Sequence, residues 1–177
     1  MSTLAPERGH AALSDPATLT LERVLPGPID RVWDYLTRGE LRRQWLASGQ
    51  MRLEVGAPFE LVWRNDELTT PPGPRPAGFE AEHRMHSRIL EVSPPHRLAF
   101  TWGEAGEVSF DLRQEGRHVR LTVNHRRPPS RDVLLKVAAG WHSHLDILAD
   151  RIEGNSPAPF WPTWQRLRDD YETRLGV

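Results

Sequence analysis

Eight histidines and seven tryptophans are the side chains of this sequence best equipped for chemistry, and no cysteine accompanies them. Without a thiol the chain has no disulfide, no thiolate nucleophile and no cysteine-bound zinc, which fits a reducing cytosol. An imidazole titrates near neutrality, so a buried one can orient a carbonyl or hydroxyl or move a proton. His83 shares its alternation parity with Met85 and Ile89, and His125 shares its parity with Val119, Leu121 and Val123. Each is therefore expected on a dry face, where it must find a partner. A satisfied structural histidine and a ligand-orienting one both meet that demand. His142 and His144 lie two apart in a helical stretch and point to different faces, unlike the i, i+4 pair of a zinc protease helix. No metal and no cofactor are expected. There is no Gly-x-Ser-x-Gly, no glycine-rich phosphate loop and no carboxylate pair placed on one face. Arg84 with Arg88, and Arg126 with Arg127, read as a solvated sheet face. Nothing here announces an enzyme, and binding is the better expectation.

The elements that must position these side chains follow from periodicity. Residues 17–25 alternate as a first strand, stopped by Pro26-Gly27-Pro28. Pro28 suits the first turn of a helix, and Ile29, Val32, Trp33 and Leu36 share one face of it. Gly39 interrupts, and residues 40–47 make a second short helix. The period then becomes two: Phe59, Leu61 and Trp63; Leu98, Phe100 and Trp102; Val108, Phe110 and Leu112 each share one face of a strand. Turn chemistry at Ser93-Pro94-Pro95, Gly103 to Gly106 and Glu115-Gly116 separates these runs, so antiparallel neighbours are expected. The proline-rich residues 65–78 form a long loop, a surface excursion or a lid over a site. From the N-cap Ser130, an apolar stripe through Leu134, Val137, Ala138, Trp141, Leu145, Leu148 and Ile152 runs to Gly154. Residues 159–175 repeat the device through Phe160, Trp164, Leu167 and Tyr171.

Bulk properties narrow the function classes. A length of 177 residues suits one domain. A formal charge of -1 argues against a nucleic-acid surface. No apolar run reaches the roughly 18 residues that span a bilayer. Residues 1–16 read as a flexible tail, 17–155 as the domain, and 156–177 as an amphipathic helix packed on it. The fold class is α+β: a curved antiparallel sheet of about six strands wrapped around the long C-terminal helix, with two short helices after the first strand. A twisted sheet and a straight helix do not mate over their whole surface, and a cavity belongs in the gap.

Several segments resemble one known superfamily. Leu21-Glu22-Arg23-Val24 followed by Pro28-Ile29-Asp30-Arg31-Val32-Trp33 resembles the hand-over from a first strand to a helix carrying a Val-Trp pair. Glu40 to Trp45, Glu91 to Leu98 with Phe100-Thr101-Trp102, and Gly140-Trp141 with Leu145 and Leu148 resemble its second helix, its proline turn and its gripping helix. In this order, over residues 19–152, they are similar to the helix-grip or START-like (SRPBCC) superfamily, in the branch named for homology to the activator of the Hsp-ninety ATPase. The resemblance implies a cavity for an apolar or amphipathic small molecule. It also implies two alternatives: cyclisation or hydrolysis chemistry, and co-chaperone-like regulation of an ATPase.

The expected ligand-binding residues are Trp63, His83, Met85, Phe100, Trp102, Phe110, Val123, His125, Trp141 and Leu145, the inward positions of the strands and helix. They suit a mostly apolar pocket with a few polar groups, and equally a filled core. A cytoplasmic protein with a small apolar ligand is expected. A homodimer through the aromatic C-terminal helix and a protein partner are left open.

Overall fold

The computed structural model describes residues 8–104 and 106–175. In chain order the strands and helices are β1 (Ala12–Asp15), β2 (Thr18–Pro26), α1 (Ile29–Thr37), α2 (Gly39–Arg42), β3 (Pro58–Trp63), β4 (His83–Ser93), β5 (Arg97–Trp102), β6 (Gly106–Glu115), β7 (His118–Arg126), α3 (Arg131–Glu153) and α4 (Phe160–Leu175). The strands make one antiparallel sheet in the order β1-β2-β7-β6-β5-β4-β3. A first strand, two short helices, a meander and a long terminal helix form the α+β grip that the resemblance implies.

Register explains why one face is dry. Leu21 pairs with Val123, Val123 with Phe110, and Phe110 with Leu98, so four strands present one apolar row. The next row runs Leu19, His125, Val108, Phe100 and Ile89. Every apolar member of these rows is buried, and each large one contributes roughly 1.5–3 kcal/mol. Trp141 of α3 presses on this surface, its ring 5.4 Å from Trp102 and 5.7 Å from Phe110. Arg23 occupies an inner position of β2 and is buried there. Its guanidinium meets Asp146 of α3 at 3.2 Å and the carbonyl of Gly9 at 2.7 Å, which offsets the penalty of burying charge.

The long helix begins and ends as its sequence predicts. Ser130 accepts a hydrogen bond from the Val133 N–H, and Gly154 closes the helix with a left-handed φ of 78°.

Two expectations are corrected, and the expected sheet gains an edge strand. Residues 12–15 of the expected tail form the edge strand β1, and Ala11 N–H donates to the Tyr171 hydroxyl of α4 at 2.5 Å; residues 1–7 lie outside the described residues. The added strand makes the sheet seven-stranded. The second short helix is a single turn, because Arg42 at its end turns inward. Its buried guanidinium donates to the carbonyls of Leu36 and Thr37 at 3.2 Å and to that of Gly49, and burial lowers its pKa to about 10.

Candidate functional site

The sheet and α3 do not close on each other over β3–β5. Between them, capped by α4 and by the proline-rich loop, is a cavity of about 400 Å³. Small-molecule sites run from roughly 300 to 1,000 Å³. The sheet wall is Trp63, His83, Met85 and Trp102, with Leu46 beside it. The α3 wall is Lys136, Val137, Gly140, Trp141 and His144, and α4 adds Phe160, Trp161 and Trp164.

The roof is held in place by polar contacts that free the rings to face inward. Trp161 donates its indole N–H to Asp66 at 2.7 Å and its backbone N–H to Pro72 at 3.0 Å. The Phe160 N–H donates to the Thr69 hydroxyl at 3.0 Å. Phe79, just past the loop, packs against Trp161 at a tilt and Trp164 edge-on, with centroids 5.2 and 5.0 Å away. The loop is thus neither a bare excursion nor a detached lid: it is fastened to α4, and Asn65, Gly78, Phe79 and Glu80 border the cavity.

Of the ten expected site residues, Trp63, His83, Met85, Trp102 and Trp141 border this cavity. Phe100, Phe110, Val123, His125 and Leu145 do not; the first four are buried on the sheet and Leu145 is buried on α3 itself. The reason is lateral: among the strands α3 packs most closely on β2, toward one edge of the sheet, and leaves the gap on the side of β3–β5. His83 was expected on a buried face and is exposed instead. It is the first residue of β4, pairs with Trp63 across the strands, and sits where the covering elements stop. The two rings lie 5.5 Å apart.

The histidines have distinct chemical roles. His125 accepts a hydrogen bond at Nδ1 from the Trp141 indole N–H at 3.0 Å, and burial lowers its pKa to about 4. An acceptor Nδ1 places the single proton on Nε2. His142 turns to the opposite side of α3, where its Nδ1 lies 2.8 Å from the Tyr171 hydroxyl. Burial, then the charge of Arg23, lowers its pKa to about 3. It is therefore neutral, and its 3.5 Å approach to Asp146 is a hydrogen bond at most rather than an ion pair. His144 faces the cavity. Its Nδ1 lies 2.8 Å from the carbonyl oxygen of Trp45, which can only accept, so Nδ1 carries the proton. Burial lowers its pKa to about 4, leaving Nε2 an acceptor at neutral pH.

Sequence reasoning missed His144, Gly140, Val137 and the α4 aromatics as cavity residues. The signal was present for the first three: His144 and Val137 lie at i+3 and i−4 from Trp141, and Gly140 lies at i+3 from Val137 and i−4 from His144. Among the described residues no group of three or more histidines or carboxylates gathers as metal ligands would. No helix among them is long and apolar enough to cross a membrane.

Comparison with known proteins places this geometry. The sequence profile described as "Activator of Hsp90 ATPase homolog 1-like protein" matches residues 26–153. A Bordetella parapertussis protein solved by solution NMR is 38% identical, over 98% of this chain and 96% of its own, with a TM-score of 0.80. The crystal structure of CalU16 from Micromonospora echinospora is 23% identical, over 94% of this chain and 96% of that one, with a TM-score of 0.67. DynU16, a protein in the dynemicin biosynthetic locus, is 21% identical, over 81% of this chain and 49% of its own, with a TM-score of 0.64. At such identities the last two share the fold and nothing finer. No curated protein matches the chain.

Proposed function

The chain belongs to the family of activator of Hsp90 ATPase homolog 1-like proteins, and on that premise we propose that it binds a small apolar or amphipathic molecule between β3–β5, α3 and α4. One observation carries the reading. Gly140 sits in the middle of the longest helix, where a glycine costs roughly 1 kcal/mol against alanine, and it borders the cavity. A Cβ built there meets nothing within 4 Å. Neither close packing nor backbone conformation requires the glycine, so the open volume beside it is what the residue provides. The walls are apolar and aromatic, with few polar groups, as a small-molecule site requires.

Two other readings have weaker support. A cyclase or hydrolase working through His125 lacks geometry, because that ring is tied to Trp141 and does not border the cavity. His83 is at the rim, without a nucleophile beside it. Regulation of an ATPase is suggested by the family's name and calls for a docking face. Among the described residues the large exposed hydrophobics are Val24 and Val55 alone.

Titration with phenylnaphthylamine, a neutral dye that brightens in apolar surroundings, tests the proposal. Saturable one-site binding is expected in the wild type, with affinity at least about 10-fold weaker in Gly140→Leu at a melting temperature no lower than that of the wild type. Equal binding by the two proteins would contradict the site, and no binding by either would contradict the function.

A further inference from the structure

The ligand-binding reading leaves open what the ligand carries, and the cavity's polar atoms answer that. This inference rests on that reading. His144 is only 5% exposed and borders the cavity. Its Nδ1 is committed to the Trp45 carbonyl, and among the described residues no hydrogen bond reaches Nε2. Burial keeps the ring neutral at ordinary pH, so that nitrogen offers a lone pair. A second acceptor is unmet as well: the side-chain oxygen of Asn65, another border residue, is buried with no partner. The Asn65 oxygen is fully buried, and a buried acceptor without a donor is rare in folded proteins and marks a place where something else supplies the proton, whereas His144 Nε2 opens on the cavity.

The other polar groups that border the cavity, Glu80, His83 and Lys136, are exposed rather than buried. Lys136 is committed at the mouth to Asp132, 3.0 Å away, and both are largely solvent-exposed. The surrounding surface is rings: Trp63, Trp102, Trp141, Phe160, Trp161 and Trp164. Aromatic walls favour a flat partner, offset-stacked or edge-on. Among the described residues the indole N–H groups of Trp63, Trp102 and Trp164 also have no acceptor, and a hydroxyl oxygen can serve one of them while its proton goes to the imidazole.

We propose that His144 is the specificity-determining residue of the cavity: its Nε2 accepts a hydrogen bond from a hydroxyl borne by a flat aromatic ligand. A ligand whose oxygen can only accept leaves that nitrogen buried and unpaired, a penalty that converts to roughly 5- to 150-fold in affinity.

Naphthol and methoxynaphthalene isolate the effect, since the rings are the same and only the alcohol donates. Binding of each is measured by calorimetry to the full chain and to His144→Phe, with near-ultraviolet circular dichroism reporting the fold. The wild type is expected to prefer naphthol by about 10-fold, and His144→Phe to bind both alike, with methoxynaphthalene held more tightly than by the wild type because the unpaired nitrogen is gone. The comparison in the wild type needs no variant, so the outcome does not depend on whether His144→Phe folds. Equal affinity of the wild type for alcohol and ether overturns the inference while the ligand-binding reading stands, as does a naphthol preference that survives His144→Phe. Failure of the wild type to bind either compound overturns both.

Discussion

Three imidazoles within twenty residues of chain have different fates, and the difference comes from what each nitrogen touches. His125 and His142 are used up by protein partners, the Trp141 indole and the Tyr171 hydroxyl. His144 satisfies one nitrogen and leaves the other free at the cavity. His125 is thus a structural residue. Replacing it with phenylalanine keeps the ring's bulk but leaves the Trp141 N–H buried without an acceptor. His125→Phe is expected to destabilise the fold by about 1–3 kcal/mol, read by urea denaturation. The affinity of the folded protein for phenylnaphthylamine should stay within about 3-fold of wild type; a 10-fold loss would place His125 in the site after all.

At the scale of elements, α3 does two jobs along one stripe. Leu145, Leu148 and Ile152 bury against the sheet, while Val137, Gly140, Trp141 and His144 wall the cavity. Gly140→Ala tests how that division is maintained. The added methyl meets open space, so the variant should be more stable by up to about 1 kcal/mol from helix propensity, seen as a raised urea midpoint. A lowered midpoint would mean that the helix needs glycine there for packing. Much of this layer was legible in the sequence. Alternation located the inner faces of β2 to β7, and the Ser130 and Gly154 caps bounded α3. Two things were not legible. Strand β1 is four residues with no inward apolar pair; it is held by pairing with β2, and Ala11 just before it is tied to Tyr171 of α4. The sideways offset of α3 depends on packing between elements distant in sequence, so parity identified inner positions but not which of them face empty space. Phe100 and Trp102 have the same parity on the same strand; the first is core and the second borders the cavity.

For the whole molecule, burying neutral histidines makes stability depend on pH. The pKa values of His125 and His144 fall to about 4 and that of His142 to about 3, all by burial, against about 6.5 in an unfolded chain. The unfolded state therefore binds more protons below pH about 6.5, so the contribution is fully present above that value and is lost as the pH falls toward 4. Each ring accounts for on the order of 3 kcal/mol across that window, and together they rival the 5–15 kcal/mol that typically holds a domain folded. Asp146, whose pKa is raised by burial, acts in the opposite sense but is a single group. The urea midpoint should hold steady near pH 7–8 and drop steeply between about 6 and 4; a flat profile through pH 4.5 would mean that the imidazoles are not buried as described. The central claim is spatial, and amide chemical-shift mapping by NMR tests it most directly. Titrating labelled protein with naphthol should move the resonances of Gly140, His144, Trp63, Trp102 and Trp161, and leave those of Arg23 and His142, on the other side of α3, in place. Shifts confined to the Arg23 and His142 side, or to the outer face of the sheet, would contradict it.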